Sequence, residues 1–339
     1  MSSAFTSAVA TPRPIPPDPT KHVNYTLGML LGVDDFNQEF AYVSGRARWL
    51  ARDLLGFGTT NGLRVSQDKD VKGPRVVVSA GAAVTPSGCM ICVDPAQCAY
   101  INDWLAANQD KLSLQLLSPP AGLNLYLVLC YRSCPVDSVP IPGEPCRSEA
   151  DLMAPSRLQD SFTLDLRLDP PKQPEEDGIR AFADWLDQVE VTDAPGAFTT
   201  PSAFASALDA AAPTPDFVRN HGLIFPMGSP LFGMRVHTID AGPCMRAAMR
   251  IWVTKIRPLV HTNCASTACC GGASSATPPA TDDCVLLAQL NVPVVIPSPA
   301  GPWLVDDTKS VVIDESHRPI VVHLRMLQEL WAASAKWWR

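Results

Sequence analysis

The feature that most constrains this chain is a heptad pattern of apolar side chains, followed at once by short β-type segments. Between Asp35 and Leu54 the apolar residues recur at spacings of 4-3-4-3-4. We call this stripe the heptad seam; its members are Phe36, Phe40, Val43, Ala47, Leu50 and Leu54. Such spacing puts the side chains on one face of a helix. The helix is predicted either to pack on the chain's own sheet or to pack against another copy, and both alternatives remain open.

The segments after the heptad seam have the composition of strands and turns. Gly56, Gly58 and Gly62 end the helical pattern, and the valine-rich segments that follow are cut by Gly and Pro. Residues 123–131, LNLYLVLCY, are apolar at nearly every position, which predicts a central strand buried on both faces. Residues 162–168 alternate between apolar and polar side chains, as expected of a strand with one face on the core.

Changes in composition divide the chain into successive parts. They are a Pro-rich extended arm at 1–20, a helical oligomerisation segment at 21–56, a β-rich domain at 57–168, a helical insertion at 169–222, a second part of the β-rich domain at 223–320 with a Cys-rich loop at 261–284, and a C-terminal helix at 321–339. The predicted fold class is α+β, mainly β. A short N-terminal heptad helix leads into antiparallel β modules, a helical insertion interrupts them, and an amphipathic helix closes the chain.

The C-terminal helix repeats the spacing of the heptad seam. Its apolar stripe contains Leu324, Leu327, Trp331 and Trp338. An isolated helix of this length is marginal in water, so the stripe is expected to dock. It can dock on the β-rich body of the same chain or on another subunit.

Charge and hydropathy argue against several classes of protein. A net charge of −7 argues against nucleic acid as the main partner. No apolar run approaches the roughly 20 residues of a transmembrane helix, so we predict no membrane insertion. The first 20 residues lack the basic start and apolar stretch of an export signal. We therefore expect synthesis in the cytoplasm, and exit from the cell only within a larger particle.

Eleven cysteines are many for a chain expected in a reducing compartment. The best metal candidate is the set His261, Cys264, Cys269 and Cys284, which offers mixed nitrogen and sulfur ligands for a tetrahedral zinc ion. Its spacing matches no common zinc module, and no other cofactor is expected. A zinc site, a loop-closing disulfide and free thiols all remain open for this tract, and a zinc-binding module or an unrecognised enzyme using it is the alternative function.

Two other cysteine groups carry weaker signals. Cys89 and Cys92 form a CxxC pair on a predicted strand, where the helix dipole that activates redox thiols is absent. Residues 135–156 are predicted to be a Pro- and Ser-rich excursion, a loop between strands. A bond from Cys130 or Cys134 to Cys146 would close a loop of roughly 12–16 residues there.

The sequence contains no recognisable catalytic motif. The chain has no glycine-rich phosphate loop, no GxSxG and no HExxH. We therefore predict that the protein is not an enzyme.

Several segments resemble a group of bacterial proteins found beside phage-tail-like contractile injection loci. The resemblance begins with LGMLLGVDDFNQEFAYVSGRARWLARDLLGFGTTNGLRV and continues with VVVSAGAAVTPSGCMICV. In that group a helix after GVDDF.QE leads into a glycine-rich strand and a hairpin. The later segments LYLVLCYRSCPVDSVPIPGEPC, DDCVLLAQLNV and VVIDESHRPIVVHLRMLQEL are similar to the same group. The chain departs from the pattern at Thr59, Thr60 and Ala80.

The resemblance implies a structural part of a tail-like particle and no activity. Such a part would be a tail-fibre, baseplate-associated or cap-type protein whose partners are other particle subunits. It would self-associate through the heptad seam and the C-terminal stripe. Heptads built from Phe and Leu can support the trimers that fibre proteins favour, and dimers remain open.

Overall fold

A computed structural model of the chain describes residues 17–115, 122–140, 153–224, 233–261, 283–296 and 301–334. Its helices are α1 (Val33–Leu50), α2 (Ile101–Ala107), α3 (Gln109–Gln115), α4 (Pro174–Asp187), α5 (Pro201–Ala211), α6 (Pro215–His221), α7 (Ala241–Ile251), α8 (Arg257–His261) and α9 (Leu324–Ser334). Single π-helical turns follow α1 at Ala51–Leu55 and α7 at Trp252–Ile256, and a 3-10 turn lies at Thr238–Asp240. The predicted α+β class is confirmed.

The strands pair mostly antiparallel. They are β1 (Gly58–Gly62), β2 (Val65–Asp70), β3 (Gly73–Val78), β4 (Gly81–Val84), β5 (Met90–Val93), β6 (Gln97–Tyr100), β7 (Leu123–Pro140), β8 (Met153–Arg167), β9 (Glu190–Val191), β10 (Arg235–Val236), β11 (Cys284–Val292), β12 (Val294–Val295), β13 (Leu304–Val305) and β14 (Val312–Asp314). The largest described sheet has the order β14-β11-β7-β8, and two three-stranded sheets have the orders β1-β4-β5 and β2-β3-β6.

Strand β7 lies in the middle of the largest sheet, as its apolar run predicts. It pairs on one side with β11 and on the other with β8, where Leu127 lies opposite Leu166. The prediction of a loop at 135–156 is wrong at both ends, because the β7–β8 ladder continues to the pair Pro140–Met153. Regular cross-strand hydrogen bonding overrides the Pro- and Ser-rich composition there.

One apolar core joins this sheet to the two smaller sheets and to α2. Its members come from β2 to β5, from β7 and β8, from β11 to β13, and from α2 and α3. Strands β3 and β5 accordingly alternate buried positions with more exposed ones. The fully buried side chains include Leu63, Ile101, Leu105, Leu125, Leu129 and Leu287.

The helices α4 to α8 form a second core of their own. Phe182 and Trp185 of α4 pack with Phe204 and Leu208 of α5, and Ile256 closes the cluster from the turn after α7. The predicted end of the helical insertion at residue 222 therefore needs correction, because α7 and α8 belong to the same core and extend it to 261. Sequence periodicity does not fix that boundary, because the sequence MRAAMRIWVTKI at Met245–Ile256 is compatible with either a helix or a strand.

Two kinds of polar contact join the helical unit to the sheets. The Arg180 guanidinium donates hydrogen bonds to the carbonyl oxygens of Ser316 and Arg318, the latter at 3.0 Å. The Gln173 side-chain oxygen accepts the backbone N–H of Leu286 on β11 at 3.4 Å. Among the described helices, none is both long and apolar enough to cross a membrane.

Candidate assembly surface

The first turn of α1 is fixed by a cap and by acidic residues. The Asp35 carboxylate accepts the backbone N–H of Gly32 at 2.8 Å, reaching back to the residue before the helix. Asp34 and Asp35 both lie in the first turn, where negative charge interacts favourably with the helix dipole. These contacts define where the heptad seam begins.

One side of α1 is covered by the chain segment that precedes it. The Glu39 carboxylate accepts the N–H of Val23 at 3.0 Å, and the Gln38 amide donates to the carbonyl oxygen of Asp18. Gly45 allows the segment to come close, because a Cβ at that position would lie 2.6 Å from the Cβ of Pro19. The covered side is not the side that carries the heptad seam.

The C-terminal end of α1 is attached to the body of the protein. Arg257 of α8 donates to the Glu175 carboxylate at 2.8 Å and to the carbonyl oxygen of Asp53 at 3.2 Å. The β4–β5 turn comes against the helix at Gly88, where a Cβ would lie 2.2 Å from the carbonyl oxygen of Arg48. The helix therefore has a fixed position on the body.

The heptad seam itself is open to solvent. Its members are all exposed, and the exposed fraction of the side chains reaches 62% at Phe36, 69% at Phe40 and 70% at Leu54. No residue of α1 is buried, and none belongs to a core cluster of the described chain. Packing of the seam on the chain's own sheet, which the sequence left open, is not what the structure shows.

Further exposed apolar side chains precede the seam along the chain. Leu27, Leu30 and Val33 precede or begin α1 and are strongly exposed. Single exposed apolar residues are ordinary, but a contiguous row of large ones marks an interaction surface.

The C-terminal segment is held to the sheets just before its helix. The backbone N–H of Thr59 donates to the carbonyl oxygen of Pro319, and the Val321 N–H donates back to that of Thr59, each at 2.9 Å. Beyond this bridge, Leu324 and Leu327 of the predicted stripe are exposed. Trp331 lies in α9, but its side chain and all of Trp338 are outside the described residues.

The predicted zinc set is not assembled as expected. Cys284 begins β11 directly opposite Cys130 of β7, and the two form a disulfide with an S–S distance of 2.04 Å. A bonded sulfur cannot serve as a thiolate ligand, so Cys284 is corrected from a metal candidate to a disulfide partner. His261 ends α8 with its side chain undescribed, and Cys264 and Cys269 lie outside the described residues.

The same disulfide corrects the proposed link from Cys130 to Cys146. Antiparallel pairing of β7 with β11 brings together two cysteines that are 154 residues apart in the sequence, a contact no local spacing indicates. The Arg167 guanidinium lies 3.5 Å from the Cys130 sulfur and 3.6 Å from the Cys284 sulfur.

The remaining described cysteines carry free thiols. The CxxC residues point to opposite faces of their hairpin, with Cys89 buried and Cys92 exposed. Burial raises the pKa of the Cys244 thiol, with a smaller contribution from the charge of Asp240, and so favours the protonated form. Within the described ranges, no group of three or more His, Cys, Asp or Glu side chains could hold a metal ion.

Three polar residues that the sequence analysis missed bear on this surface or its support. Glu39 and Arg46 lie beside the heptad seam, and the heptad spacing alone could have assigned them to flanking positions. Arg318 is a buried cation next to the hydrogen bonds that join Thr59 to Pro319 and Val321, and no local pattern in the sequence indicates its burial.

No protein-family model matches this chain, and no curated protein matches it either.

Proposed function

We propose that this protein is a structural component that assembles with further copies of itself through the heptad seam of α1. The observation that carries the proposal is that the seam is exposed along its whole length, on a helix that is covered by the preceding segment on one side and attached to the body at its C-terminal end. The segment resemblances support a place in a phage-tail-like contractile injection particle, as a fibre, baseplate-associated or cap-type protein without enzymatic activity. Such a particle would be assembled in the cytoplasm.

The apolar area on the seam is large enough to drive association. Full burial of one Leu, Val or Phe side chain stabilises by about 1.5–3 kcal/mol. Association of two proteins costs roughly 4–15 kcal/mol in lost freedom of motion. The five large side chains of the seam, contributed by each of two helices, offset that cost, whereas a single exposed leucine would not.

The test is to replace Leu50 and Leu54 together by Asp and to measure molar mass by light scattering during gel filtration. We expect the unmodified protein to be an oligomer and the double variant to be a monomer with an unchanged circular dichroism spectrum. The matched control is Ile239→Asp, which puts the same charge on an apolar side chain that is 82% exposed on the helical unit. That variant should stay oligomeric.

A monomeric unmodified protein at micromolar concentration would remove the proposal. So would a Leu50→Asp, Leu54→Asp variant that is folded and assembles as before.

A further inference from the structure

We infer that two copies of α1 pair antiparallel, in a register that packs Phe36 of one copy on Ala47 of the other. This inference rests on the proposed self-association and adds the orientation and the number of chains. Two antiparallel helices cover each other's seams, which leaves no seam exposed for a third copy. The expected assembly is therefore a dimer, in place of the trimer expected from a seam of Phe and Leu.

The heptad spacing assigns helix-pair positions to residues of α1 and, by continuation, to Ala51, Asp53 and Leu54 of the π-helical turn that follows it. The core a positions are Phe40, Ala47 and Leu54, and the core d positions are Phe36, Val43 and Leu50. The flanking g positions are Glu39, Arg46 and Asp53, and the flanking e positions are Asn37, Ser44 and Ala51. The g positions therefore read acidic, basic and acidic along the helix.

An antiparallel pair brings g positions of the two helices together, and likewise e positions. When Phe40 of one copy packs on Val43 of the other, Phe36 packs on Ala47, which matches a large side chain with a small one. In this register Glu39 of each copy faces Arg46 of its partner, so two opposite-charge pairs form. Asn37 then faces Ser44, and both can take part in hydrogen bonds.

A shift of the antiparallel register by one heptad is unfavourable. In one direction it would place Glu39 opposite Asp53 and Arg46 opposite Arg46 of the other copy, and in the other direction it would place Glu39 opposite Glu39. Like charges at facing positions destabilise a helix pair. In addition, Asp53 already lies 3.8 Å from Arg257 of its own chain.

A parallel arrangement gains nothing from the flanking charges. It would put Glu39 opposite Ser44 and Arg46 opposite Ala51, so no charge pair would form. It would also gather the acidic first turns of the copies at one end and the arginines at the other. In the antiparallel arrangement the acidic N-terminal half of α1 in one copy lies beside the basic C-terminal half of α1 in the other, so the two halves attract each other.

The contacts that Glu39 and Arg46 make within the chain leave room for these pairs. The backbone N–H of Val23 engages one oxygen of the Glu39 carboxylate, and a carboxylate has two. One nitrogen of Arg46 lies 3.3 Å from the hydroxyl oxygen of Tyr42, and a guanidinium has five N–H donors.

The test uses Glu39→Lys and Arg46→Glu, each alone and mixed in equal amounts, with dimerisation followed by analytical ultracentrifugation. Each variant alone turns two attractive pairs into two repulsive ones, and we expect about tenfold weaker dimerisation. The mixture should recover dimers containing one chain of each kind, because every facing pair is then of opposite charge. Arg64→Glu, on an exposed residue outside α1, should dimerise like the unmodified protein.

A second measurement does not depend on charge. Oxidation of a mixture of Asn37→Cys and Ser44→Cys chains should join residue 37 to residue 44, as located by peptide mapping. Thermal melts matched to the unmodified protein establish that each variant is folded.

The outcomes separate this inference from the proposed function. Variants that dimerise normally, a mixture that does not recover, or a trimer that still depends on Leu50 and Leu54 would overturn the antiparallel pair and leave self-association standing. Stronger dimerisation of Glu39→Lys alone would overturn the register. A monomeric unmodified protein would overturn both.

Discussion

The Arg318 guanidinium donates a hydrogen bond of 2.9 Å to the carbonyl oxygen of Leu63, a residue 255 positions earlier in the chain. It also donates to the hydroxyl oxygen of Thr59 at 2.9 Å and pairs with the Glu315 carboxylate at 2.7 Å. Burial lowers the pKa of this guanidinium, an effect that the charge and hydrogen bond of Glu315 oppose. One side chain thus ties the segment before α9 to the strand that follows α1.

Replacement of Arg318 by Met should lower the free energy of unfolding by about 2–3 kcal/mol, because the buried carbonyl of Leu63 loses its donor. Urea denaturation followed by circular dichroism measures the change. Arg325→Met is the matched control, since Arg325 is an exposed residue of α9 paired with Glu329, and it should change stability by less than about 0.5 kcal/mol. Equal effects of the two substitutions would contradict the anchoring role of Arg318.

The Cys130–Cys284 disulfide should contribute to stability as a long-range cross-link. Cys284→Ser is expected to cost about 2–5 kcal/mol, because the bond closes a long loop in the unfolded chain. Denaturation with and without reductant measures it: reductant should destabilise the unmodified protein and leave Cys284→Ser unaffected. Cys92→Ser removes an exposed free thiol and should change neither result.

Elemental analysis of the same preparations addresses the zinc hypothesis. With Cys284 in a disulfide, we expect no zinc at one ion per chain. Stoichiometric zinc that is lost in Cys284→Ser would show that this cysteine is a metal ligand after all.

Tyr131 should make stability depend on alkaline pH. Its hydroxyl hydrogen-bonds to the Asp160 carboxylate, which together with burial raises the pKa of Tyr131 to about 12 from an ordinary value of 10.0. Because the raised pKa favours the neutral phenol in the folded protein, the stabilisation is present below pH about 10 and is lost as pH rises towards about 12. Tyr131→Phe should lower stability at pH 8 by about 1 kcal/mol, and the gap from the unmodified protein should close between these pH values.

The control for the Tyr131 experiment is Tyr25→Phe, because Tyr25 is an exposed tyrosine near α1. It should follow the unmodified protein at every pH. A stability gap for Tyr131→Phe that stays constant from pH 8 to pH about 12 would contradict the Asp160 contact.

Deletion of residues 324–339 should leave the body of the protein intact. Leu324, Met326 and Leu327 are exposed, so the described part of α9 contributes little to folding, and we expect the melting temperature to change by less than about 2 °C. A deletion that begins at residue 318 removes the Arg318 anchor as well and should be strongly destabilising. Loss of assembly without loss of stability in the shorter deletion would identify α9 as a second assembly element, whereas an unstable product would mean that it docks on its own chain.

The elements predicted well from sequence are those whose signal lies within a few residues. The heptad spacing predicts α1 because helical periodicity is a local property, and the apolar run at 123–131 predicts a central strand because both of its faces must be buried. Gly58 shows the limit of such local signals: its glycine marks the end of the helical pattern, but the reason for a glycine there is a contact with a distant part of the chain. At Gly58, which has a φ of +133°, a Cβ would lie 2.5 Å from the backbone of Pro319, so only glycine fits.

Only the tertiary structure determined the contacts between distant parts of the chain. The sequence could not tell whether the seam packs on its own sheet, because the same stripe serves either purpose. The fold leaves the seam exposed, since α1 is attached to the body through its C-terminal end. It could not pair Cys130 with Cys284 or bury Arg318 against Leu63, since both contacts depend on which strands become neighbours. Strand neighbours are set by the burial of whole sheets, a property of the assembled chain rather than of any segment.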